Sequence, residues 1–260
     1  MSSADHRISC VIITKNEERN IERCIKSVQE IADDIVVIDS LSTDKTKEIC
    51  LSLNVRFIEQ PFLGYIEQKN KALEHSLYPY VLSLDADEAL SEELLVSIKQ
   101  VKKHWQTDAY FFNRRTNYCG KWIRHCGWYP DQKLRLFDKR KGQWEGKNPH
   151  DKYTLFSGAS QSYLKGDILH YSYYSIDQHI DQIKKFTNIM AQESFKNGKK
   201  PSYARLIFSP FIKFIKSYFI QAGFLDGHYG FIICILSSCA TFLKYTKTYE
   251  LFKQTGSKFN

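Results

Sequence analysis

The stretch Val81-Leu82-Ser83-Leu84-Asp85-Ala86-Asp87-Glu88 runs from an apolar segment straight into three carboxylates. Carboxylates two residues apart repel one another unless a cation lies between them or water separates them. Mg²⁺ or Mn²⁺, bound through one or two carboxylates and substrate phosphates, fits such a pair. As a Lewis acid the ion would neutralise a diphosphate leaving group. The same acids could instead serve the dipole of a helix starting near Ser91. Two other polar groups follow apolar runs in the same way: Thr14-Lys15-Asn16-Glu17, and Asp39-Ser40-Leu41-Ser42-Thr43-Asp44.

Such groups need a scaffold. Ile8 to Thr14 predicts a buried strand, and Glu17 to Ile31 places Ile21, Cys24, Ile25, Val28 and Ile31 at helical spacing. Further strands are expected at Ile35 to Ile38, Val55 to Glu59 and 80–84. Helices are expected at Thr43 to Leu53, entered through capping residue types, and at 65–76. The alternation implies an α/β fold with a mostly parallel central sheet flanked by helices. Ligands in such sheets lie beyond the carboxyl ends of the strands, so the three polar groups should converge on one rim. From about 109 the pattern turns β-rich, basic and aromatic. A helix follows around 177–196, and Asn197-Gly198-Lys199-Lys200-Pro201 breaks the chain.

Composition narrows the classes. The 260 residues carry a formal net charge of +8, and residues 199–260 hold nine Lys/Arg against two Asp/Glu, so the excess sits in the tail. Seventeen Phe and 16 Tyr suit sugar platforms or a membrane interface. The seven cysteines are scattered without a C-x-x-C pair, which indicates neither a disulfide framework nor a zinc site and suits a reducing cytosol. The N-terminus lacks the apolar length and cleavage site of a signal peptide, so the chain is expected to stay inside the cell. Nothing resembles a nucleic-acid motif, and no nucleic-acid partner is expected.

Taken in order, IITKNEE, VVIDSLSTDKT and LSLDADE resemble the inverting family 2 glycosyltransferases of the GT-A (Rossmann-like) fold. The resemblance implies that Thr14, Asn16 and Glu17 frame a nucleoside and that Asp39 contacts the base or ribose, with Asp44 close by. Asp87 would take the metal and Asp85 would lie near the ribose. GYIEQKNKAL is similar to the family's segment against the nucleotide and adds Gln68, Lys69 and Asn70. A narrower resemblance, through GWYPDQKLRLFDKRKG, NPHDKY, ILHYSY and AGFLDGHYGFIICIL, is to the lipopolysaccharide core β-1,4-glucosyltransferase group. It implies UDP-glucose as donor, a divalent metal, and a lipid-linked saccharide acceptor. The implied organisation is a nucleotide-sugar-binding half at 1–105, an acceptor-binding half at 106–196, and a basic, aromatic helical extension at 197–260.

An inverting transfer needs one carboxylate to deprotonate the acceptor hydroxyl, and a cationic clamp for the leaving diphosphate. Asp151 occupies the place of the family's base, in a His150-Asp151 pair where the group usually has His-Glu. Asp131, ahead of KLRLF, is the other candidate, and Arg135 could hold phosphate. His150 and His170 are candidate metal or pyrophosphate ligands, with His170 the stronger. Trp122, Trp128, Tyr129 and Trp144 could stack on sugar rings or fill core. Arg114, Arg115, Lys121 and Arg124 could meet a phosphorylated acceptor or form a solvated face.

In Arg205 to Leu225, helical spacing puts Phe211, Phe214, Ile215, Tyr218, Phe219 and Ala222 on one side, and Lys213, Lys216 and Ser217 on the other. That pattern suits a helix in the headgroup plane or one packed on the catalytic domain. Tyr229 to Leu243 spans 15 residues, short of the ~20 that cross a bilayer. The expectation is a cytoplasmic enzyme, peripheral on the inner face of the cytoplasmic membrane. The alternatives are a polyprenyl-phosphate glycosyltransferase and a non-catalytic nucleotide-sugar or glycolipid-binding protein.

Overall fold

Strand β1 (Ile8–Thr14) is buried on both faces except at Ile13, and its unbroken apolar run is that of a central parallel strand. It lies between β2 (Asp34–Asp39) and β4 (Tyr80–Asp85), parallel to both, with Thr14 opposite Asp39 and Ile13 opposite Asp85. Strand β3 (Arg56–Glu59) extends the parallel part beyond β2. The computed structural model describes residues 6–147, 150–200 and 202–255.

Helices α1 (Ile21–Val28), α2 (Thr46–Ser52) and α3 (Tyr65–His75) connect these strands. In α1 the buried residues Ile21, Cys24, Ile25 and Val28 follow the helical repeat. Helix α2 begins at Thr46 rather than Thr43. The preceding residues are held as a loop by side-chain hydrogen bonds, which compete with the helix. The short β5 (Glu88–Leu90) precedes α4 (Glu92–Lys103), which Ser91 caps by accepting from the Leu94 amide at 3.2 Å.

Beyond β4 the sheet turns antiparallel through β8 (Asp131–Asp138) and continues through β6 (Ala109–Tyr118) and β11 (Gln161–Tyr173) to β5. The order is β3-β2-β1-β4-β8-β6-β11-β5. Strands β9 (Gly142–Lys147) and β10 (His150–Leu155) form a separate antiparallel pair. The parallel region is thus confined to the first four strands, where the rim residues sit. One apolar core gathers Ile8, Cys10 and Ile12 with α1 and α4, and a second gathers Val11, Val36 and Ile38 with Phe137, Trp144 and Tyr153.

The chain divides into two compact units. The first runs to Arg115 and resumes over Asp131–Tyr171; the second comprises Thr116–Pro130 and the chain from Ser172 onward. In the second, β7 (Lys121–Trp122) pairs with the end of β6. Helices α5 (Ile176–Lys196), α6 (Tyr203–Ile215) and α7 (Gly227–Gln254) follow. The core of this unit is aromatic: Tyr118, Ile123, Cys126, Ile233 and Cys234, surrounded by Trp128, Tyr173, Phe214, Tyr218 and Tyr229. Tyr118 Oη lies 3.0 Å from His179 Nδ1, and burial pushes that imidazole down to about 4. Asp226 accepts from the amides of Arg124 and His125, which ties the 120–128 loop to the start of α7. Gly230 passes so close to the Gly223 carbonyl that a Cβ would fall 1.9 Å from its oxygen.

The tail departs from its sequence pattern in two places. The predicted single helix over 205–225 is broken by a π turn at Lys216–Ile220, which rotates the register. Ser217, expected on the polar side, is buried and donates to the Lys213 carbonyl. Phe214 and Tyr218 join the aromatic core, and Phe211, Ile215 and Phe219 face outward. The apolar run from Tyr229 also proves to be part of a 28-residue helix, about 42 Å long at 1.5 Å per residue. By length and composition the segment Gly223–Gln254 could cross a membrane. Here α7 packs against α5 and α6, and Lys247 on it donates to the Lys184 carbonyl and the Thr187 hydroxyl of α5.

Candidate active site

The carboxyl ends of β1 and β2 are latched together. Asn16, in the left-handed region at φ 54°, donates its amide to Ser42 Oγ and accepts from the Thr43 amide at 2.8 Å. The Glu17 amide donates to Thr46 Oγ1, and the Glu18 amide to Asp44 Oδ2. Asp44 accepts further from Thr46, and the buried Asp39 accepts from the amide and hydroxyl of Ser42. Asn16, Asp39 and Asp44 therefore shape the rim through bonds within it. Thr14 is buried beside them with its hydroxyl unpartnered.

At the end of β4 the acids and cations interlock. Lys69, buried on α3, places its ammonium 3.1 Å from Asp85 Oδ1 and 2.7 Å from Asp151 Oδ2 on β10. Arg135 on β8 reaches Asp85 Oδ2 at 3.0 Å and Glu88 Oε1 at 3.6 Å. Arg114 on β6 joins Glu88 to Asp131, at 3.4 and 2.9 Å. Asp87 stands apart from this network, 3.1 Å from His170 Nε2 on β11. The Trp144 ring backs the cations, with Lys69 Nζ 4.6 Å and Arg135 Cζ 5.3 Å from its centroid. Asn70 exchanges two hydrogen bonds with the Trp144 backbone, which fixes β9 against α3.

Burial by itself would raise Asp85, but the charges of Lys69, Arg135 and Arg114 outweigh it and hold the carboxyl well below its usual range. Burial would likewise raise Asp87, and the charge and hydrogen bond of His170 hold it low. Glu17 goes the other way. Burial, reinforced by Asp87 and Asp44, pushes it up to about 7 against the hydrogen bond from Asn20. The rim therefore holds carboxylates of opposite tendency, as sites that bind cations or move protons do.

This arrangement, parallel strands feeding an Asp-x-Asp rim, agrees with the profile of Glycosyl transferase family 2, which matches residues 9–166. The chain belongs to that family. Among relatives, an uncharacterized glycosyltransferase of Rickettsia typhi is 34% identical over 94% of this chain and 87% of its own. The lipopolysaccharide core biosynthesis glycosyltransferase LpsC of Rhizobium meliloti is 29% identical over 94% and 92%. Among solved structures, S. aureus TarS 1-349 in complex with UDP-GlcNAc superimposes with a TM-score of 0.49 at 14% identity, covering 98% of this chain and 93% of that one.

In this glycosyltransferase Glu88 does not serve the start of a helix. It is buried in β5, where its carboxylate accepts from the Asp85 amide and meets two arginines, and the helix cap is Ser91. Trp144 and Trp128 offer no open sugar platform: Trp144 is buried, and Trp128 packs on Tyr118, Tyr173 and His179. Arg114 and Arg115 form no solvated face, being paired with Glu88 and Asp131, and with Asp167. Asp131 is the first residue of β8, opposite Arg114 and bridged also by Lys133. The His150 side chain lies outside the described residues. Sequence reasoning missed the Glu88–Arg114–Arg135 cluster. The available signal was the alternation Asp131, Lys133, Arg135 along one strand face.

Proposed function

We propose that this glycosyltransferase moves a hexose, glucose from UDP-glucose being the first candidate, with inversion onto a lipid-linked saccharide of the lipopolysaccharide-core type. The observation that carries the reading is the pairing of Asp87 with His170 beside the Asp85–Lys69–Asp151 bridge. The acceptor class is supported by the relationship to LpsC. We further place the enzyme on the inner face of the cytoplasmic membrane, with the cationic, aromatic second unit as its attachment.

A divalent metal fits the donor set. Asp87 and His170 supply one oxygen and one nitrogen at a partly exposed position. Among the described residues no group of three or more His, Cys, Asp or Glu side chains is preassembled around an ion. That suits Mg²⁺ or Mn²⁺, which keep substrate phosphates and water among their ligands. Bound there, the metal would neutralise the departing diphosphate.

The remaining roles belong to side chains already described. Thr14, Asn16, Glu17, Asp39 and Asp44 form the nucleoside end of the rim. Asp151 removes the proton of the acceptor hydroxyl, which attacks the anomeric carbon opposite the leaving group. Lys69 holds Asp151 in place at 2.7 Å, and Arg135, whose Nη1 is buried without a partner, offers a donor to phosphate oxygen. Asp131, bridged by Arg114 and Lys133, is the alternative base.

A screen of UDP-sugars with Mn²⁺ or Mg²⁺ against membrane extract tests this, with the product linkage determined by NMR. Transfer should occur and should fall by about 10²–10³-fold or more in Asp87→Ala. Absence of hydrolysis or transfer with every UDP-sugar, or full activity in Asp87→Ala, would overturn it. If Asp151→Asn retains activity, the acceptor is an already ionised phosphate such as a polyprenyl phosphate.

A further inference from the structure

The second unit carries an apolar surface that its own core does not use. On α6 and the π turn, Ile207, Phe208, Phe211, Ile212, Ile215 and Ile220 are exposed, Phe211 by 66% and Ile220 by 76%. Large exposed apolar patches mark binding faces. Between α6 and α7 this surface dips into a groove of about 350 Å³, within the ~300–1,000 Å³ of small-molecule sites. Its walls are Leu206, Ile207, Pro210, Phe211, Cys239 and Phe242, and the Ser238 hydroxyl at its edge donates to the Pro210 carbonyl at 2.7 Å. The polar group at the groove is therefore satisfied, and what remains open is hydrocarbon.

Charge selects the occupant. Between Ser202 and Tyr249 the sequence has one acidic residue, Asp226, which is buried and accepts from the 120–128 loop. Over the same span stand Arg205, Lys213, Lys216 and Lys244, besides Lys247, which is turned to α5. A second copy of this face would set like charges against one another. Anionic headgroups above acyl chains complement both its cations and its hydrocarbon.

We propose that this face docks on an anionic phospholipid bilayer and that the α6–α7 groove takes one phospholipid acyl chain. The inference rests on the membrane reading given above and names its surface and its ligand. Phe211 and Ile215 lie in the acyl boundary, Lys216 lies among the headgroups, and α7 lies along the bilayer rather than across it.

Flotation of the intact protein with vesicles of equal parts phosphatidylglycerol and phosphatidylethanolamine tests the docking face. The wild type should float with these vesicles and not with phosphatidylcholine, and alkaline carbonate should release it. Phe211→Asp with Ile215→Asp should lower the bound fraction about tenfold or more, and Lys216→Glu should lower it most at low salt, the effect fading as salt is raised. In a Cys119→Ser background, a bimane on the exposed Cys239 should be quenched by lipids brominated along the acyl chain.

Equal binding to phosphatidylcholine, undiminished binding of the double variant, unquenched bimane on bound protein, or resistance to carbonate would each overturn the proposal. So would a lipid-free dimer that the double variant dissolves. UDP-sugar hydrolysis with Mn²⁺ should persist in the double variant, whereas Asp87→Ala should keep vesicle binding. Failure of the docking face and failure of the transferase reading are thereby separated.

Discussion

The two units solve opposite problems with buried polar groups. In the first, charge is concentrated: Lys69, Arg114 and Arg135 are held against Asp85, Glu88, Asp131 and Asp151, each ion desolvated only because another compensates it. In the second, the described interior carries the carboxylate of Asp226, held by backbone amides, while buried polar atoms such as Tyr118 Oη and His179 Nδ1 pair as neutral groups. A site poised for a polyanion keeps its cations in place before the ligand arrives, whereas an aromatic core with an apolar exterior is suited to a surface without fixed geometry.

The sharpest break of this contrast is at Asp151. Asp151→Asn should reduce transfer by about 10²–10⁴-fold while leaving the melting temperature near that of the wild type, measured as product formation and thermal denaturation on one preparation. Retained activity would mean that no base is needed, as with the already ionised phosphate acceptor. Lys69→Met should damage both properties. It leaves Asp85 and Asp151 without their shared cation, and unfolding free energy should drop by about 2–4 kcal/mol with transfer lost by about 10²-fold. A stable, active Lys69→Met protein would show that the bridge is incidental.

In the second unit, Gly230→Ala should cost about 1–3 kcal/mol by overpacking against the Gly223 carbonyl. UDP-sugar hydrolysis, assayed well below the transition, should be spared. Loss of hydrolysis in the folded variant would deny the units their separate roles.

The smallest effects concern pH, and here the units should slope in opposite directions. Glu17 is raised from 4.5 to about 7, so its contribution to stability is full below pH 4.5 and lost as pH rises through 7. His179 is lowered from 6.5 to about 4, so its contribution is full above pH 6.5 and lost as pH falls through 4. Between pH 4.5 and 6.5, Glu17→Gln should remove a decline with rising pH and His179→Gln a rise, each on the order of 1 kcal/mol. Denaturant midpoints taken across that interval give both slopes, and parallel profiles in the two variants would refute the assignment.

Much of the first unit was legible beforehand because its signals are local. Apolar runs at Ile8 to Thr14 and Ile35 to Ile38 read as buried strands, and helical spacing between them implies crossovers, which puts Thr14, Asp39 and Asp85 on one edge. The later strands were harder to read, because β8, β6 and β11 pair antiparallel or out of sequence order, and pairing partners leave little trace in one chain. Glu88 shows the limit: three residues beyond Asp85 it looks like part of the same acidic group, yet β5 turns it inward to two arginines that lie 26 and 47 positions away.

The sequence by itself determined the alternation of strands and helices, the rim where the acids gather, and the cationic excess of the tail. Each of these depends on residue type and spacing within one element. Tertiary structure alone decided which cation faces which carboxylate, that Glu88 turns inward to two arginines, and that Phe211 and Ile215 face outward. The reason is physical: ion pairing and burial depend on distances of a few ångströms between segments far apart in the chain, and no local pattern encodes them.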